Sequence, residues 1–106
     1  MHSQQSQEQS RQDRELLRRV KQRLKVTYDE SDEEIGYYIQ DGKAFINART
    51  DGVRFDLSSD DTVEVLAISM LMNYVRYAWN GTTMFFGTDY LYDILTLQLE
   101  VAMRDG

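Results

Sequence analysis

The sequence predicts an all-α domain, a small antiparallel bundle of about four helices. Three observations carry that prediction. No proline occurs in 106 residues, where an average usage of ~5% would place about five, so helices can run without forced breaks. Apolar residues recur at spacings of three and four through most of the chain, the period of one helix face. Ser, Thr, Asp and Gly stand where those periodic stretches begin and end, as capping and stopping require. The length suits one domain.

Residues 1–12 are rich in Gln and Ser and carry no apolar side chain after Met1. Such a stretch cannot offset its ordering entropy by burial. It predicts a disordered polar tail ahead of a single helical domain over residues 13–106. It also lacks the apolar core of a signal peptide, and no run reaches the ~18–20 apolar residues of a membrane span. A cytoplasmic protein is expected.

Helix one is expected from Asp13 to Lys25, with Leu16, Leu17, Val20 and Leu24 on one face. Ser31 and Glu34 have the spacing of a capping box, and Asp32 and Glu33 suit the positive end of a helix dipole. Helix two therefore starts there. Its stripe is Ile35, Ile39, Gly42 and Ile46, widened by Tyr38 and Phe45, and it ends near Arg49 before the turn Asp51-Gly52. Val53 to Leu57 alternates apolar and polar residues, which reads as a short extended segment. The pattern leaves room for a short β-hairpin between Val53–Leu57 and Met84–Phe86.

Helix three, about Asp61 to Asn80, starts on a second box-like spacing, Asp61 with Glu64. It is apolar almost all round, which implies a central position or an outer face covered by another chain. Asn80-Gly81 stops it. Thr82 to Gly87 reads as a loop holding Met84, Phe85 and Phe86. Helix four begins with Thr88 as N-cap and shows a wide apolar face from Leu91 to Ala102.

The net charge is −6, unevenly placed. Residues 1–25 hold seven basic residues against three acidic, a net of +4. The remainder holds five basic against fifteen acidic, a net of −10. A basic first helix on an acidic body is the main electrostatic feature. It could contact phosphates, but the acidic remainder would repel a duplex and no nucleic-acid motif accompanies it.

There is no cysteine, and the one histidine is His2. That argues against disulfides, thiolate zinc sites, cysteine nucleophiles and histidine acid–base catalysis. The acidic run Asp29 to Glu34 lacks calcium-loop spacing and fits a dipole-matched helix start. Phosphate-binding glycine motifs and the nucleophile-elbow motif are missing. The reading is a non-enzyme without cofactor or metal. Tyr74, Tyr77, Trp79, Met84, Phe85, Phe86, Tyr90 and Tyr92 gather around the junction of helices three and four. The helix residues read as core. For Met84 to Phe86, core and interface both stand open, since large aromatics are enriched at interfaces.

One run of the chain joins Val-Lys-Gln-Arg-Leu-Lys to the acidic Tyr-Asp-Glu-Ser-Asp-Glu-Glu-Ile. It continues through Tyr-Ile-Gln-Asp-Gly-Lys-Ala-Phe-Ile-Asn to a third helix ending Met-Asn-Tyr-Val-Arg-Tyr-Ala-Trp-Asn-Gly. This pattern, over about residues 16–103, resembles the small head–tail connector (adaptor, head-completion) proteins of tailed bacteriophages. The resemblance implies a mostly helical subunit of a ring, usually of twelve copies, below the portal protein. Such a ring extends the DNA channel and docks a stopper or tail-completion protein. It needs no cofactor or membrane, and DNA passes through without specific binding. It belongs to the virion at the head–tail interface, and to the host cytoplasm during assembly. The residues expected at partner contacts are Trp79, Met84, Phe85, Phe86 and Tyr90, with Arg18, Arg19 and Arg23 of the basic helix. A different class also fits the composition: a small acidic helical regulator that binds a single protein partner.

Overall fold

Five α-helices follow one another in the computed structural model, which describes residues 2–105, and the side chains of residues 7–104. They are α1 (His2–Leu24), α2 (Asp32–Thr50), α3 (Thr62–Trp79), the short α4 (Phe86–Asp89) and α5 (Leu91–Asp105). A single 3-10 turn, Thr83–Phe85, leads into α4. The fold is all-α. No strand occurs among the described residues. The molecule is a slab of 42 × 41 × 20 Å.

Each long helix contributes a buried stripe to one core. α1 gives Leu16 and Val20; α2 gives Ile35, Ile39, Gly42 and Ile46. α3 gives Val63, Ala67, Met70, Leu71 and Val75; α5 gives Ile94, Leu97 and Val101. The α2–α3 pair is the most extensive contact. Its centre is Gly42, where an added Cβ would lie 2.6 Å from Leu71 Cδ1 and 3.0 Å from Tyr74 Cδ1. The missing side chain lets the two helices approach closely.

α5 runs antiparallel to α3. Its start lies by the end of α3, where Arg76 Nη2 donates to the Tyr90 hydroxyl at 3.2 Å. Its end lies by the start of α3, with Arg104 Nη1 3.6 Å from Asp61 Oδ2. Gln98 Nε2 also donates to the carbonyl of Arg49 at 3.1 Å, tying α5 to the end of α2.

The structure departs from the sequence expectation in four places. First, α1 begins at His2, so the stretch expected as a disordered tail continues the helix. That stretch lacks Gly and Pro and carries i, i+3 and i, i+4 pairs: Arg11 with Glu8 at 3.2 Å, and Gln9 with Asp13 at 3.0 Å. Gln12 anchors it, accepting from the Leu57 amide at 3.2 Å and donating to Asp56 Oδ1 at 3.4 Å.

Second, the hairpin does not form. Val53 to Asp56 has no regular secondary structure and Leu57 enters a turn, and two amides of the segment are met by side chains: Val53 N–H by Asn47 Oδ1 at 2.9 Å, Leu57 N–H by Gln12. The partner segment, Met84 to Phe86, is helical.

Third, helix four does not start at Thr88. The chain is already helical from Phe86, kinks at Tyr90 (φ −109°, ψ 22°) and resumes as α5. Burial of Phe86 draws this segment onto the core.

Fourth, the Ser31 box is not closed. Ser31 makes no side-chain cap, and Glu34 accepts from the Tyr38 hydroxyl at 2.6 Å. The nearby Asp32 carboxylate is held by Lys21 Nζ at 2.8 Å. Asp61 does cap α3, accepting from Val63 N–H at 2.9 Å. Its box partner Glu64 is buried instead, 3.9 Å from Arg54 Nε.

Candidate interaction surface

The aromatic residues at the end of α3 form a knot around Phe86, which is fully buried. Phe45 of α2, Tyr74 and Tyr77 of α3 and Tyr90 surround it, with centroid separations of 5.5, 5.2, 5.3 and 4.5 Å. Three of these contacts are edge-to-face and the Tyr90 contact is stacked, the two favoured geometries of aromatic pairs. Tyr77 also donates to Asp89 Oδ2 at 2.7 Å. That bond is the main reason the Tyr77 phenol is pushed above its usual range. The knot clamps α4 and the start of α5 to α3.

The expected contact residues therefore divide. Phe86 is core and inaccessible to any partner, and Tyr90 is half-buried against it. Trp79 is half-buried against the core. Met84 and Phe85 are exposed on the 3-10 turn, at 74% and 55%. The glycine-flanked segment thus supplies both outcomes left open for it: one residue to the core and two to the surface.

The three arginines lie on α1, away from this knot in sequence, and two of them are engaged within the helix. Arg18 and Arg19 both donate to Glu15, at 2.7 and 3.0 Å. Those bonds hold the Glu15 carboxyl well below its ordinary range, at about 2. Arg23 reaches α3, with Nη1 3.8 Å from the Met72 sulfur. Lys21 is the more enclosed cation, paired with Asp29 at 2.7 Å and Asp32 at 2.8 Å. Those pairs raise its pKa, the Asp29 bond foremost.

The face left open is not the one expected. α3, apolar almost all round, is wrapped by α1, α2, α5 and the aromatic segment, and only Val65 among its large apolar residues is exposed. The uncovered face belongs to α5. Leu91, Leu95, Leu99 and Met103 recur every four residues and are half to two-thirds exposed, with Tyr92 beside them. Ile94, Leu97 and Val101 fill the opposite, buried side. The signal was in the sequence: the apolar residues of α5 cover two stripes of the helix, where a surface helix needs one. An ordered row of four exposed apolar side chains differs from scattered surface leucines.

A second feature lies between α1 and α2. Two adjoining depressions share Arg14 and Leu17; Gly36, Ile39 and Val26 contribute to their floor and Arg18 and Lys21 to their rim. Among the described residues, no group of three or more acidic or histidine side chains converges as a metal site would. Among the described residues, no helix is long and apolar enough to cross a membrane. No protein-family model matches the chain, and neither a curated protein nor a solved structure does.

Proposed function

We propose that this chain is a structural subunit of a head–tail connector ring in a tailed bacteriophage, placed below the portal and offering a platform to a stopper or tail-completion protein. The sequence pattern over about residues 16–103 motivates the reading. The observation that carries it is the second apolar stripe of α5, which calls for a protein neighbour. The flat shape supports it as well. The chain exposes 7140 Å², against roughly 6,200 Å² for a compact monomer of its mass. The difference is comparable to one partner's share of a standard interface, about 800 Å². The net −10 on residues 26–106 suits a channel wall past which DNA slides without adhering. The basic α1 then faces a protein, its charges partly held by Glu15, Asp29 and Asp32.

The test is to delete the gene in its phage and image the lysate by electron microscopy. Separate filled or leaking heads and free tails are the expected result. Normal infectious virions would overturn the proposal and favour a small acidic regulator of a single protein partner.

A further inference from the structure

Gly36 is an interior helix glycine that its own chain does not need. A glycine there costs α2 up to about 1 kcal/mol relative to alanine. At Gly42 the cost has an internal reason, because a Cβ would collide with Leu71. At Gly36 a Cβ would meet nothing within 4 Å. The residue opens onto the depression between α1 and α2, beside Leu17 and Ile39. Its effect is to widen a groove with an apolar floor.

Arg14, Arg18 and Lys21 of α1 line that groove together with Asp13 and Asp32. Arg14 is exposed along it, Arg18 is exposed but bonded to Glu15, and Lys21 is held by Asp29 and Asp32. The unpartnered stripe of α5 lies on a segment of net charge opposite to that of α1. Leu91, Leu95, Leu99 and Met103 extend over about 18 Å of helix; Glu100 follows Leu99, and Asp93 lies across the helix from Leu91 and Leu95. Segment 89–105 carries four acidic residues against Arg104 alone. An apolar stripe on a net acidic segment fits an apolar groove beside a net basic helix, with Arg14 the exposed cation at its edge.

We infer that the α1–α2 groove receives the outward face of α5 from a second copy of this chain, with Gly36 as the point of close approach. The contact deepens the ring reading and rests on it for closure. Groove and stripe are different surfaces of one chain, so each copy gives one and receives one. Such a head-to-tail contact propagates from copy to copy and closes into a ring when the rotation permits. A pairing of α5 with α5 about a twofold axis would stop at a dimer and leave the groove empty.

The experiment is sedimentation of the full chain over a concentration series, with two variants. Gly36→Leu fills the groove and leaves the α5 stripe intact. Leu95→Asp with Leu99→Asp spoils the stripe, at exposed positions, and leaves the groove intact. Cooperative thermal melts, with Gly36→Leu no less stable than the parent, establish that both fold. The parent is expected to form species larger than a dimer, more weakly at high salt. Each variant alone is expected to stay monomeric. Their equimolar mixture is expected to give one heterodimer and nothing larger, because one good groove meets one good stripe.

A parent that stays monomeric throughout overturns the inference. So does a Gly36→Leu variant that associates like the parent while the aspartate variant does not, the signature of twofold α5 pairing. Because the chain has no cysteine, a second readout is clean. Gly36→Cys in one chain and Leu91→Cys, Leu95→Cys or Leu99→Cys in another should cross-link on oxidation as a mixed pair in preference to like pairs. Head-to-tail assembly beside a deletion phage that still joins heads to tails would remove the connector reading and leave this contact standing. A failed deletion phage beside a monomeric chain would do the reverse.

Discussion

The rings of Phe86 and Tyr90 lie almost parallel, 13° apart in orientation and 4.5 Å apart in centroid distance. The stack crosses the kink between α4 and α5, so two short helical pieces are held in register by side chains. Phe85, one residue earlier, points to the surface. Adjacent phenylalanines thus have opposite roles. Phe86→Ala is expected to cost about 3–5 kcal/mol, a large share of a small domain's stability. Phe85→Ala should stay within about 0.5 kcal/mol. Urea denaturation of the two variants decides it, and equal effects would contradict the buried knot. Partner-binding studies belong on Met84 and Phe85, since loss of Phe86 would act through folding.

Two glycines of the same helix are expected to respond with opposite sign. Gly42→Ala drives a Cβ against Leu71, which is fully buried, and against the Tyr74 ring. It should destabilise by about 1–3 kcal/mol. Gly36→Ala meets no obstacle and should stabilise by about 0.5–1 kcal/mol. Thermal melts at a concentration where the protein is monomeric provide the comparison.

Glu15 should titrate far below an ordinary carboxylate. The hydrogen bond from Arg18 is the larger cause and that from Arg19 the next, and the midpoint stands at about 2 against an ordinary 4.5. A folded-state pKa below the unfolded value means the contribution is complete above about pH 4.5 and is lost as pH falls through about 2. The group is at the surface, so added salt should weaken the effect. Carboxyl chemical shifts followed by NMR should show the low midpoint, and Arg18→Ala should move it upward. A Glu15 midpoint at its ordinary value would mean the two arginines are free for other contacts.

The two expected capping boxes should behave differently under alanine substitution. Asp61 accepts the Val63 amide, and Asp61→Ala should cost ~1 kcal/mol. Ser31 makes no such bond, and Ser31→Ala should fall within about 0.5 kcal/mol. The Arg104 pair with Asp61, long and partly exposed, should add little to the first figure. Chemical denaturation of these variants, with Arg104→Ala beside them, separates cap from ion pair.

The helical class and most of the core were legible because periodicity reports burial directly. Ile35, Ile39, Gly42 and Ile46 were read as one stripe, and all four are buried. What the sequence hid depends on neighbours distant in the chain. Phe86 and Phe85 have the same side chain, and only the positions of Phe45, Tyr74 and Tyr77 decide which one turns inward. Val53 to Leu57 has strand-like alternation, but two of its amides find Asn47 and Gln12, which no local pattern announces. The composition of α3 fitted either a central place or an outside partner, and the chain itself covers most of it. The wide face of α5 was visible, but its division into inner and outer rows required the position of α3. Ser31-x-x-Glu34 satisfies the spacing of a box, yet Tyr38 outcompetes the backbone for Glu34.

The first turns of α1 have one more consequence. Residues 7–11 are exposed on every side, and Gln12 is the outermost described residue of the helix hydrogen-bonded to another element. A few turns of helix without tertiary cover are marginal in water. On heating, ellipticity at 222 nm should therefore begin to fall before the near-ultraviolet signal of the tyrosines packed around Phe86 changes. A single-transition fit to the helix signal would then return too small an enthalpy, and calorimetry would exceed it.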